Sequence, residues 1–139
     1  MITLQRVNRS IFRYIEHELY NYQQTKKDIE NMRESIIEGK SATENGTGKS
    51  DTISDTTGNK ATKLVSTTAL LRMERVVNAI DISLDRLGEQ YQKFFHAKYQ
   101  ERYTTVKTCI QLHLSESTYY RHRRVLVEMV AEQLGFITE

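Results

Sequence analysis

The chain has 139 residues, 38% hydrophobic and 27% charged, with a net charge of +2, no proline and one cysteine. That length suits one compact domain, or a small domain with an extended helical part, and the composition is too polar for a large single core. The lone Cys109 excludes an internal disulfide and a cysteine-cluster zinc site, and no stretch resembles a signal peptide or approaches the ~18 apolar residues of a membrane helix, so a cytoplasmic protein is expected.

At the N-terminal end, Leu4, Val7, Ile11, Ile15, Leu19, Tyr22, Ile29, Met32 and Ile36 recur mostly at steps of three and four. The spacing predicts one long amphipathic helix over 2–38, a rod of roughly 50 Å at 1.5 Å per residue, filling an N-terminal segment 1–38. Such a rod must bury its stripe on another helix or on a second copy of the chain. Residues 39–62 change character, with four glycines, many small polar residues and Ile53 as the only large apolar one. This composition predicts a flexible polar linker. Within it, Glu44–Ser50 ends like a phosphate-binding loop, but Thr43 stands where the pattern needs glycine and no strand precedes it, so nucleotide binding is set aside.

The helical pattern returns with Leu64, Val65, Leu70, Met73, Val77, Ile80, Leu84 and Leu87, which from Leu70 onward alternate at steps of three and four. That is the rhythm of a coiled-coil or bundle helix. Gly88 is a weak point in it. A further helix over Glu89–Tyr99 carries Tyr91, Phe94, Phe95 and Tyr99 as its packing face. A short helix over Thr105–Leu112 follows, then a tight turn at His113-Leu114. Ser115 is the expected N-cap of a last helix that runs from Glu116 to about Leu134 and stops at Gly135. No strand and no internal repeat is predicted. The fold class is all-α: long helices with a C-terminal helix-turn-helix inside the segment 63–139.

The last two helices carry the functional signal. A short helix, a tight turn and a second helix that opens on Ser/Thr and is rich in arginine have the form of a DNA-binding helix-turn-helix. At 100° per residue, Tyr119, His122, Arg123, Leu126, Met129, Val130, Gln133 and Leu134 fall on or near one side, to pack on Val106, Ile110 and Leu112. Ser117, Arg121, Arg124 and Glu128 fall opposite, with Tyr120 and Val125 at the margins. Arginine can read guanine through a bidentate pair, and Ser117 and Thr118 can bond to bases or phosphates. Arg123, near the apolar side, is expected to reach a phosphate, as Tyr120 is to touch the sugar-phosphate backbone. Lys98, Arg102 and Lys107 would position the duplex without reading it. From His96 to Arg124 the net charge is +4, which leaves −2 for the rest of the chain. Double-stranded DNA is the expected partner.

The stretch 84–135 resembles sigma-factor region 4, in which a scaffold helix, a tyrosine-ended loop and a Ser-x-Ser-Thr helix follow in this order. The chain as a whole resembles the RinA/ArpU family of phage transcriptional regulators of Gram-positive hosts. The likeness runs through Glu18-Leu19-Tyr20-Asn21-Tyr22, Thr25-Lys26-Lys27-Asp28-Ile29-Glu30, a variable polar connector, Leu70-Leu71-Arg72-Met73-Glu74-Arg75 and Ser115-Glu116-Ser117-Thr118-Tyr119-Tyr120-Arg121. It implies an activator of late phage genes, those for packaging and morphogenesis, acting in the bacterial cytoplasm without the promoter-melting region of a full sigma factor. Host RNA polymerase is an implied partner. His122 stands where the pattern has tryptophan, which implies looser or wetter packing there.

No catalytic, metal or cofactor residues are expected: the four histidines lack metal-motif spacing and no Ser/His/Asp arrangement stands out. One short recognition element rarely gives adequate specificity, so a homodimer is expected. Two other readings remain at this level. One is a small-terminase-like packaging protein, with a helix-turn-helix and an oligomerising helical part. The other is a coiled-coil adaptor without affinity for DNA.

Overall fold

In the computed structural model every regular element is helical, and no strand occurs among the described residues. The structure describes residues 7–44 and 52–137, with side chains for 7–37 and 66–137. The elements are α1 (Arg9–Tyr20), α2 (Tyr22–Glu44), α3 (Thr52–Leu87), α4 (Glu89–Phe95), a π-helical turn (His96–Gln100), α5 (Thr105–Leu112) and α6 (Glu116–Gln133). The fold is all-α, as expected.

The chain divides into two compact units, Met1–Gln23 with Val76–Glu139, and Gln24–Arg75. The first holds the main core. Ile15 and Leu19 of α1, Val76, Ala79 and Ile80 of α3, Phe94 and Phe95 of α4, Tyr99, and Tyr119, Leu126, Val127, Val130 and Ala131 of α6 are all buried in one cluster. Its aromatic part is held edge to face: Phe94 meets Tyr119 at 5.3 Å, Tyr20 meets Tyr99 at 4.8 Å and Tyr22 meets Phe95 at 5.3 Å between ring centres. Such pairs each add stabilisation beyond the area they bury.

Local chemistry sets most element boundaries. Asn8 caps α1, its Oδ1 accepting from the Ile11 amide at 2.9 Å. The single N-terminal helix expected over 2–38 is divided at Asn21. Its side-chain amide donates to the His17 carbonyl at 2.8 Å, competing for the acceptor that its own backbone amide uses at 3.0 Å. Residues 2–6 of that expected helix lie outside the described residues. Gly88 ends α3 outright: at φ +95° it turns the chain, donates to the Leu84 carbonyl and receives the amides of Tyr91 and Gln92. The helix expected over 89–99 widens at His96 into the π turn, closed by the Glu101 amide on the His96 carbonyl at 2.8 Å. The wider turn carries three consecutive residues, Ala97, Lys98 and Tyr99, into the interior.

In the second unit, Gln24 donates to Asp28 at 2.9 Å along α2, and Arg33 of α2 pairs with Glu74 of α3 at 3.0 Å. Helix reaches into the expected linker from both sides, over 39–44 and 52–62, while 45–51 lie outside the described residues. The proline-free sequence there permits helix, and its polar composition is only a weak prior against one.

Candidate nucleic-acid interface

α5 and α6 begin and end where their local sequence directs. Thr104 caps α5 by accepting from the Lys107 amide at 3.1 Å. α5 closes on His113 in the left-handed region (φ 56°), with the Leu114 amide returning to the Cys109 carbonyl at 2.9 Å. Ser115 then caps α6: its Oγ accepts from the Thr118 amide at 3.1 Å, donates to Thr118 Oγ1 at 2.8 Å and lies 3.2 Å from Ser117 Oγ. Both hydroxyls expected to meet DNA, Ser117 and Thr118, thus gather at the positive end of the helix, where Thr118 is half-buried and Ser117 exposed.

α6 is two helices in one. Over Glu116–Arg124 it keeps a solvent face formed by Glu116, Ser117, Tyr120, Arg121 and Arg124, opposite buried Tyr119 and His122. From Leu126 to Ala131 every residue is buried. This corrects one expectation: Glu128 is 3% exposed and does not continue the Arg121–Arg124 face. The second half of the helix is enclosed rather than laid on a surface, because α1, α4 and α5 all pack against α6.

The six expected cations separate into two groups. Two are engaged inside the fold. Arg123 was expected to reach a phosphate; instead its Nε donates to Glu16 Oε2 at 2.8 Å and its Nη2 to Oε1 at 2.6 Å, with the guanidinium 5.0 Å above the Phe12 ring. Tyr99 donates to the same carboxylate at 2.8 Å. Burial pushes the Glu16 carboxyl up, but these hydrogen bonds and the charges of Arg123 and Lys98 outweigh it and hold the group below its ordinary value. The hydrogen bond to Glu16 in turn raises Arg123 further above the normal arginine range. Lys98 is also corrected from duplex contact to interior residue. It is 8% exposed, donates to Tyr20 Oη at 3.0 Å and lies 5.0–5.5 Å from the rings of Tyr20, Tyr99 and Tyr119. Burial disfavours its charge, yet the phenol oxygens of Tyr20 and Tyr119 overcome this and raise its pKa.

The other four, Arg102, Lys107, Arg121 and Arg124, are exposed. Arg102 sits in the left-handed region at φ 58°, reaching the Tyr20 carbonyl at 3.4 Å and stacking over the Tyr20 ring at 5.1 Å. Lys107 lies 4.1 Å from the Tyr103 ring centre. Arg121 is close enough to Tyr91 for its charge to oppose the rise that burial imposes on that phenol. Tyr120 is 46% exposed on the same side of α6.

His122, where the resemblance implied looser or wetter packing, is buried at 7% exposure. Its ring stacks on Tyr91 at 4.3 Å and 13°, and Phe94 lies 5.6 Å away. Nδ1 donates to the Thr118 carbonyl at 3.0 Å, leaving Nε2 buried with no hydrogen-bond partner. The packing of α5 departs from expectation as well. Leu112 joins the core, but Val106 and Ile110, expected to anchor α6, are 68% and 70% exposed.

The residue that sequence reasoning missed is Glu16. A signal for it existed: it is an acid on the side of α1 that otherwise presents Phe12, Ile15 and Leu19, a position that calls for an interior cation. Among the described residues no three His, Cys, Asp or Glu side chains converge as a metal site needs, and no helix is long and apolar enough to cross a membrane.

Residues 11–132 match the family described as "Protein of unknown function (DUF722)", and the chain belongs to that family. It is similar to the "Transcriptional activator rinA" of Staphylococcus phage phi11, 26% identical over 131 residues that make up 91% of each chain. The family is therefore RinA-like, in agreement with the resemblance read from the sequence. No solved structure matches.

Proposed function

We propose that the protein is a phage or prophage transcription regulator that binds duplex DNA sequence-specifically through α5, the turn at His113–Ser115 and α6, acting as a sigma-region-4-like helix-turn-helix. The observation that carries this reading is the division of α6. Its buried second half fixes the helix rigidly, while the first half offers hydroxyls and two guanidinium groups to solvent. A reading helix needs this arrangement, because base contacts come from its N-terminal residues.

In this reading Arg121 and Arg124 contact base edges, with Ser117 beside them. Thr118 and Tyr120 meet the sugar-phosphate backbone at the helix start. Arg102 and Lys107 neutralise phosphates and set the register. Arg123 does not touch DNA; it holds α6 to α1. The similarity to a phage transcriptional activator supports regulation as the role. The proposal is completed by late packaging and morphogenesis genes as targets, host RNA polymerase as protein partner and a second copy on an adjacent half-site. Such a protein works in the cytoplasm of the bacterial host.

The test is footprinting on the phage or prophage DNA around the protein's own gene, followed by titration of the protected duplex over a range of salt. A discrete footprint is expected, with affinity falling steeply as salt rises because cations displace condensed counterions. Equal affinity for random duplex, or none for any duplex, would overturn the reading.

A further inference from the structure

α1 and α6 border an open cleft of about 380 Å³, lined by Val7, Arg9, Phe12, Arg13, Glu16 and Arg123, all within the first compact unit. Its charges do not balance. Glu16 is its one acid and is bound by Arg123, whose guanidinium also lies 5.0 Å above the Phe12 ring. Arg9 and Arg13 are exposed, and among the described residues neither makes a hydrogen bond or an ion pair. The first turn of α1 contains no acid, and the one acid within a turn of Arg13 on its own helix is Glu16, which is already taken. Arg13 follows Arg9 by four residues, so two like charges face each other one turn apart, a placement that disfavours the helix. Two such guanidinium groups beside apolar Val7 and Phe12 suit an anion with an apolar part, supplied from outside the chain.

The position of the cleft identifies the source of that anion. At 100° per residue, exposed Tyr120 and Arg124 lie about 60° and about 100° around α6 from Arg123, in the same direction, so the solvent face of α6 begins where the cleft ends. On α1, Arg9 and Arg13 lie about 20° and about 60° around from Glu16, on the side away from buried Ile15 and Leu19. Both helices thus turn these residues away from the core, and the cleft forms the rim of the α6 face. Packed helices lie about 8–10 Å apart, a distance that one strand of a duplex covers in about three nucleotides at ~3.4 Å each. A strand whose bases meet α6 therefore carries a phosphate over α1 two or three nucleotides farther on. A sugar-phosphate unit has what the cleft lacks: fixed negative charge for the guanidinium groups and an apolar ring face for Val7 and Phe12.

We propose that Arg9 and Arg13 clamp one backbone phosphate of the bound duplex in this cleft, about two or three nucleotides outside the bases that α6 reads. The site rests on the DNA-binding reading above and adds α1 to the interface. Because Glu16 neutralises Arg123, the phosphate is drawn to the two outer guanidinium groups, which hold the duplex without reading it.

The test is the full-length double variant Arg9→Gln/Arg13→Gln, which keeps good helix formers and removes no hydrogen bond or ion pair from the fold. On the footprinted duplex its affinity is expected to fall about tenfold and its salt slope by about one ion, with base preference and melting temperature as in the wild type. Arg9→Lys/Arg13→Lys keeps the charge and is expected to stay within about threefold of the wild type. Phosphate ethylation interference adds a local readout: a phosphate outside the bases read by α6 blocks wild-type binding when ethylated and ceases to matter in the Gln variant. Unchanged affinity, equal losses in the Lys and Gln variants, or an altered base preference would each overturn the proposal. So would calorimetric binding of inorganic pyrophosphate that the Gln variant loses while its DNA affinity is unchanged, which makes the cleft a site for a free anion. Should the Gln variant fail to fold, interference on the wild type decides. A wild-type footprint with no such outlying phosphate defeats the cleft assignment alone; a wild type that binds no duplex defeats the DNA reading itself.

Discussion

Arg123 of α6 holds Glu16 of α1 through two hydrogen bonds, at 2.8 and 2.6 Å, and Tyr99 donates to the same carboxylate at 2.8 Å. The pair sets the rotation of α6 about its own axis. With position 123 tied to α1, position 121 lies about 160° around the helix and must face away. An arginine that reads in the sequence as one more surface cation therefore fixes which way Arg121 and Arg124 face.

Replacing Glu16 by Gln is expected to lower stability by about 2 kcal/mol near neutral pH, since it removes the charge partner of a half-buried guanidinium. The pH dependence has a definite sign. The folded carboxyl sits below its ordinary value of 4.5, so its contribution is complete above that pH and is lost as pH falls through the folded value. Glu18, raised by burial, acts in the opposite sense. Urea titrations from pH 7 to pH 3 check this: stability of the variant is expected to fall less steeply with acid than that of the wild type.

Arg121→Ala is expected to cost about 1–3 kcal/mol at the footprinted site and to relax base preference there. Lys107→Ala is expected to weaken every sequence alike and to reduce the salt slope by about one ion. Gel-shift titrations at fixed salt on specific and random duplex compare the two; equal losses on both duplexes for both variants would remove α6 from the reading role.

His122 offers a packing test. Phenylalanine would keep the stack on Tyr91 and remove the buried, unpartnered Nε2. His122→Phe is expected to melt at or above the wild-type temperature, whereas His122→Ala leaves a cavity and loses about 2–3 kcal/mol. Calorimetry distinguishes this from a water-filled site, where both changes would destabilise.

Gly88→Ala is expected to cost about 1 kcal/mol through the backbone alone. The residue adopts φ +95°, and an added Cβ would meet nothing within 4 Å. A denaturation curve with a lower midpoint and an unchanged slope is the anticipated result.

Where the determining chemistry lies within a few residues, the sequence was sufficient. The Ser115 cap, the tight turn at His113-Leu114, the stop at Gly135 and the exposed Ser117, Arg121 and Arg124 all follow from hydrogen bonds and backbone preferences spanning one helical turn. The family, too, was legible in the motif at 115–121. What depended on distant partners was not. A helical wheel assumes one buried side, yet the second half of α6 is enclosed by several helices, so Glu128 goes inside with its apolar neighbours. Lys98 is interior because a π turn shifts the register of everything after His96. Val106 and Ile110 face water because α5 packs through Thr108, Cys109 and Leu112. Arg123 does not join exposed Arg121 and Arg124 because Glu16, 107 positions away, binds its guanidinium. Periodicity tells which side chains share a face; only packing decides where that face points, because burial free energy is set by neighbours that the local sequence does not contain.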